Sequence, residues 1–286
     1  MHNELETAFG QLLAERCSPA VVRAIERETE RATERARGPR AAADALWSTL
    51  ADSGFADALV PEAQGGAGLT LADVLPLVQA CGRHAMPLPF AETMSARGVL
   101  AHAGRSWPAG PITLAAVDGV VEPDARLALH AALCAAQIAG AVERVLEMSL
   151  EHAKQRVQFG KPVGSFQAVQ HQLSAMAEQA CAARIAAQLC FASDTHLPDR
   201  RLAAIAMVAA GEAAEVVAAG GHAVHGAIGI SAEFDLQLYT RRLREWRVEA
   251  GSPAYWSRQV GRAWWSGPQA LGAVDFALDS LAAARF

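Results

Sequence analysis

The sequence predicts an all-α protein: an N-terminal helical domain followed by a C-terminal antiparallel bundle of the four-helix type. Three observations support this. Apolar residues make up 52% of the 286 positions but aromatic ones only 6%, and alanine supplies much of the difference. Alanine is the strongest helix former, and its small side chain lets helices pack closely. Beyond Arg126, long stretches with apolar residues at helical spacing are separated by short breaks holding Gly or Pro, as in antiparallel helical neighbours. Only residues 112–121 carry a clear hairpin signal.

The elements follow in order. Residues 11–58 read as helices with outer faces rich in Arg and Glu, then apolar Leu46, Trp47 and Leu50 at helical spacing. The loop at 60–69 holds Gly65, Gly66 and Gly68, where the backbone needs positive φ or close approach. Thr70 and Asp73 have the spacing of a capping box for a helix carrying Val74, Leu77 and Val78. Pro87 and Pro89 break that helix, and a short one covers 92–100. These elements form a first domain, 1–103. In the linker, 104–126, two apolar runs flank Asp118-Gly119, a pair suited to the tight turn of a hairpin, which would have to lean on helices.

The bundle, 127–286, starts with a helix to about Val157, stopped by Gly160 and Pro162. A second helix begins after Gly164 with Ser165 as its cap and Phe166, Val169, Leu173 and Met176 on its buried stripe. A third runs from Pro198-Asp199 to about His225. A fourth, charged on one face, ends near Glu249, and more helix follows Pro253.

Composition narrows the function. A net charge of −5 argues against nucleic acid, whose binding surfaces concentrate Lys and Arg. Apolar runs read as shorter than the roughly 20 residues that cross a bilayer, so no membrane partner is predicted. The polar, acidic start reads as free of a signal peptide. Cys17, Cys81, Cys134, Cys181 and Cys190 form no CxxC pair and no Cys/His cluster with zinc-ligand spacing. They are read as small buried residues of a reduced, cytoplasmic protein with no metal site.

One stretch is more specific. Arg156-Val-Gln-Phe159-Gly160-Lys161-Pro162-Val-Gly164-Ser165-Phe166-Gln167 joins the first two bundle helices. His225-Gly226-Ala227-Ile228-Gly229-Ile230 follows the third, and Pro61-Glu62-Ala-Gln-Gly65-Gly66-Ala-Gly68 lies near the start. Together these resemble the signatures of the acyl-CoA dehydrogenase family, over most of 45–105 and 128–262. The segment from His225 through Tyr239 looks most like steroid- and bulky-substrate members, which include paired-subunit enzymes.

The resemblance implies a flavoprotein that introduces an α,β double bond into an acyl-CoA thioester with FAD and passes electrons to an electron-transfer flavoprotein. It implies that Arg156, Phe159, Gln167, Gly226 and Gly229 contact the adenosine half of an FAD held mainly by a neighbouring subunit. The chemistry suits them: a guanidinium donates parallel hydrogen bonds to a pyrophosphate, and glycine lets backbone approach phosphate. The chain would then be a homo-oligomer, or a hetero-oligomer with a full-length acyl-CoA dehydrogenase.

The chain also departs from the family. About 25 residues stand where a β-domain of roughly 100 usually lies, so that domain would be reduced to about one hairpin. Ala223 and Ala227 replace a glutamine and a glycine. The family's glutamate base usually precedes a Gly-Thr pair, but here Ala250 takes that place and Glu249 stands one residue early. One helical step turns a side chain by about 100°, which predicts an exposed Glu249 beside Arg247, out of the cavity. Another family position for the base falls near His130. These gaps leave an alternative: a non-catalytic assembly subunit that keeps only the oligomerising bundle.

Overall fold

The computed structural model describes residues 2–34, 40–193 and 195–266. Its helices are α1 (His2–Arg16), α2 (Pro19–Glu34), α3 (Ala41–Asp52), α4 (Leu71–Arg83), α5 (Phe90–His102), α6 (Pro123–Gln155), α7 (Gln167–Phe191), α8 (Arg200–His225), α9 (Leu236–Glu249) and α10 (Pro253–Ser266). Two short strands, β1 (Val157–Gln158) and β2 (Lys161–Pro162), pair antiparallel. The all-α expectation therefore holds, with one two-stranded hairpin among the described residues.

Local signals fix several helix starts. Thr70 and Asp73 form the capping box of α4, with the Thr70 N–H donating to Asp73 Oδ2 at 2.9 Å. Asp199 caps α8 by accepting from the N–H groups of Arg201 and Leu202 at 2.8 and 3.0 Å. α6 opens with Pro123 in its first turn, where the missing N–H costs nothing. The cap read at Ser165 is corrected. Phe166 precedes α7 without a side-chain bond, while Ser165 Oγ donates back to the Pro162 carbonyl at 2.7 Å.

The hairpin read at 112–121 is also corrected. Leu114–Val117 is a 3-10 turn, and only an isolated bridge joins Asp118 to Val121. The cause lies on α5, whose side chains take the bonds that a partner strand would take. Glu92 accepts the Leu114 N–H at 2.9 Å. The Thr93 hydroxyl meets both the N–H and the carbonyl of Ile112, at 3.0 and 2.8 Å, and Arg97 reaches the Gly110 carbonyl. The segment is a strap tied to α5. The hairpin occurs instead at 157–162, because Phe159 and Gly160 both adopt positive φ, 52° and 77°. That combination matches the twist of a two-residue hairpin.

A continuous apolar core runs from Phe9 through α4 and the bundle to Trp256. α6 and α8 are apolar and long enough to span a bilayer, contrary to the sequence expectation, but most of that apolar length is buried inside the protein itself. It is core.

α4 and α6 cross with backbones in contact. A Cβ on Gly82 would lie 1.8 Å from the Gln137 carbonyl oxygen, and one on Gly140 would lie 1.9 Å from that of Gln79. Gly140→Ala should therefore cost about 3 kcal/mol or more, or prevent folding, since an overpacked backbone contact cannot move aside as a side chain can. Gly10→Ala, where a Cβ meets nothing within 4 Å, should leave stability equal or raise it by up to about 1 kcal/mol. Denaturant unfolding of both variants checks the contrast; equal effects would remove the crossing from the account.

Candidate functional site

A cavity of about 580 Å³ lies between α6 and α9. Its floor comes from one face of each helix. His130, Leu133, Cys134 and Gln137 recur at the helical i, i+3, i+4, i+7 spacing on α6, as do Arg242, Glu245, Trp246 and Glu249 on α9. The loop at 86–89, Glu92 and Thr113 form its wall. Arg242 is occupied by Glu245 at 2.9 Å and Glu26 at 3.5 Å, which leaves Glu249 facing His130.

Glu249 and His130, the two alternative base positions, meet here: Glu249 Oε1 lies 3.9 Å from His130 Nε2. Glu249 is exposed, as expected, but it lines the cavity instead of pointing away from it. α9 ends at Glu249 with that residue on the same face as Arg242 and Trp246, while Arg247 turns away to Glu215 and the Gly211 carbonyl. Burial raises the Glu249 carboxyl above the ordinary range; the His130 ring opposes this, and the charges of Glu92 and Glu245 add to it. The Cys134 thiol also belongs to the group, its sulfur within 4.8 Å of the donor atoms of both. Burial, then the charges of Glu249 and Glu92, hold it protonated.

The five residues expected to meet a dinucleotide occupy one end of the bundle, where α6 and α8 finish and α7 begins. Arg156 ends α6, and its carbonyl accepts the Val163 N–H at 2.8 Å, closing the hairpin. Its side chain is exposed and has no ion-pair partner among the described residues. Phe159 stands 91% exposed at the hairpin tip, and Gln167 is exposed at the first position of α7. The His152 and His225 rings, 4.5 Å apart, tie the last turn of α6 to that of α8. The two glycines differ. Gly226 is exposed, with φ 63° and open space beside it, so it presents backbone outward. Gly229 is buried, and a Cβ there would press on His225 and Leu236 at 3.0 Å. It serves internal packing.

Near the start of α6, Asp124 pairs with Arg200 at 2.9 Å and Arg126 lies 3.7 Å from Asp118. Cys134 is buried, as read, but its place in the cavity lining was not foreseen, nor was that of Glu92. Cys134 stands one turn after His130 on the same face, a signal that is present; the strap that places Glu92 leaves none.

Comparison with known proteins agrees with this architecture. The sequence model described as "Acyl-CoA dehydrogenase, C-terminal domain" matches residues 118–264. The acyl-CoA dehydrogenase IpdE2 of Mycobacterium tuberculosis is 30% identical over 92% of this chain and 97% of its own length. Two solved structures share the fold with TM-scores of 0.74. One is a variant of the Tcur3481-Tcur3483 steroid ACAD, 21% identical over 91% of this chain and 96% of its own. The other is the ChsE4-ChsE5 complex from Mycobacterium tuberculosis, 18% identical over 93% and 98%. The chain belongs to the acyl-CoA dehydrogenase family, whose cofactor is FAD.

Because the folded state holds the Glu249 proton more tightly than the unfolded chain does, it should lose stability as pH rises from the ordinary carboxylate range through the raised value. Glu249→Gln keeps the shape and removes the titration. The thermal midpoint of the parent should decline over that interval and that of the variant should decline less; parallel curves would show that Glu249 ionises as freely folded as unfolded.

Proposed function

We propose that this chain is a subunit of an oligomeric acyl-CoA dehydrogenase that removes two hydrogens from the α and β carbons of an acyl-CoA thioester. The observation that carries this reading is the convergence of Glu249 and His130, from separate helices, on one cavity. The cavity binds the acyl end of the thioester among Leu88, Leu133 and Trp246. Glu249 is the base: its raised carboxyl sits closer to neutrality, so that it is matched to a carbon acid acidified by a thioester. The α-proton moves to a Glu249 carboxylate oxygen, which faces His130 at 3.9 Å. A bound FAD would supply the acceptor for the β-hydride, which would leave the α,β-unsaturated thioester as product.

The end of the bundle fits a dinucleotide. A guanidinium with no ion-pair partner among the described residues, beside a hairpin tip bearing an exposed aromatic, offers bidentate donors and a stacking surface. Val157, Phe159, Ile228 and Ile230 are all exposed there, Ile230 by 74%, an apolar patch of the kind that another chain covers. On this reading Arg156, Phe159, Gln167 and Gly226 complete the adenosine half of a flavin site whose ring portion belongs to a partner, either a second copy or a full-length acyl-CoA dehydrogenase. The family resemblance makes an electron-transfer flavoprotein the partner to which the electrons would leave.

The test compares the chain alone and co-expressed with a full-length dehydrogenase. Arg156→Ala should leave the oligomer intact but lower bound flavin, read by absorbance, about tenfold or more. Glu249→Gln should keep flavin yet slow its bleaching by an acyl-CoA under anaerobic conditions by about 10²–10⁴. If flavin content ignores Arg156 and bleaching ignores Glu249, the chain is an assembly subunit without chemistry.

A further inference from the structure

The cavity carries a second capability that proton transfer does not use. His130 and Cys134 lie one turn apart on α6, and Glu249 meets them from α9, so that an imidazole nitrogen, a thiol sulfur and a carboxylate oxygen all lie within 4.8 Å of one another. In a tetrahedral zinc site such donors sit roughly 3.3–3.6 Å apart, as bond lengths of about 2.0–2.3 Å require. Closure from the present separation needs side-chain shifts of at most about 1.5 Å. Two donors are carried by α6, and the third stands exposed at the end of α9. The open cavity leaves the fourth position for water.

We infer that His130, Cys134 and Glu249 form a zinc site inside the cavity. The donor set selects the metal: a thiolate with an imidazole favours zinc over magnesium or calcium, which prefer oxygen ligands. Binding exchanges one proton for the metal. The Cys134 S–H bond breaks, a sulfur–zinc bond forms, and the proton leaves to solvent. Zinc neutralises the carboxylate that otherwise faces Glu92 and Glu245 across the cavity. Resting on the function proposed above, the same event withdraws Glu249 from proton abstraction, so zinc inhibits turnover and a chelator restores it.

Binding is tested without catalysis, on the full chain, with cobalt(II) as the spectroscopic probe and zinc as the competitor. One equivalent of cobalt should produce thiolate-to-metal charge-transfer absorption, which equimolar zinc displaces. Cys134→Ser should abolish that band, and His130→Ala and Glu249→Gln should each weaken binding about tenfold or more. Cys181→Ser, at the exposed cysteine outside the cavity, should leave it unchanged. Circular dichroism checks that each variant folds; should Cys134→Ser fail to fold, the two ligand variants decide alone. Cobalt bound without a thiolate band, or with equal affinity in His130→Ala and Glu249→Gln, overturns the site. An enzyme inactive without metal would count against the proposed dehydrogenation and leave the zinc site standing. Zinc bound at the site without loss of turnover overturns the inhibition.

Discussion

The contact on which the rest of the structure depends is the crossing of α4 over α6. At Gly82 and Gly140 neither helix has room for a Cβ, and each glycine meets a carbonyl of the other helix. Gly82 sits against Gln137, whose side chain lines the cavity, and α4 ends one residue after it. The chain leaving α4 is thereby delivered to the face of α6 that carries His130, Cys134 and Gln137. The 86–89 loop and Glu92 can wall the cavity only because two backbones touch. A side chain at that crossing would separate α4 from α6 and open the wall.

The strap solves a second problem, the missing β-domain. A short segment between two helical units has backbone groups that need partners, and a lone hairpin is only marginally stable. α5 supplies those partners itself through Glu92, Thr93 and Arg97, while Leu114 and Val117 enter the core. Arg97 is further held by Asp57 at 2.9 Å and lies over the Trp47 ring, which joins the strap to the elements before α4. The same carboxylate that ties the strap, Glu92, helps raise the Glu249 carboxyl. The side chains that give the strap its partners thus also set the electrostatics of the cavity.

Much of this was legible in the sequence because the signals were local. Thr70 with Asp73, Asp199, and the breaks at Gly160 and Pro198 depend on residues within a turn of each other, and α6 to α10 lie where the periodicity put them. The errors share a cause. The hairpin at 112–121 was judged on its own turn chemistry, but α5 offered its backbone better partners. Glu249 was judged by counting from a motif, although its direction depends on where α9 ends and on what packs beside it. The grouping of Cys134 with His130 and Glu249 needs the α6–α9 contact, which periodicity does not state. Gly229 reads like Gly226 in sequence, and only the packing of Leu236 and His225 separates their roles.

Distance along α6 then constrains how such a chain can work. One uninterrupted helix runs from His130 to the end of α6, where Arg156 caps it, and at 1.5 Å per residue the rise along it is roughly 39 Å. That is more than the span of a small domain, and no single dinucleotide reaches from one to the other. On the proposed reading, the cavity and the adenosine half-site of one chain therefore serve two different flavins. On that reading each flavin would draw its halves from two chains, and an isolated monomer would hold neither site complete. The exposed Phe159 and Ile230 stand where the second chain would have to sit. On the proposed function, a bundle with both ends of α6 furnished would use each of them only within an oligomer.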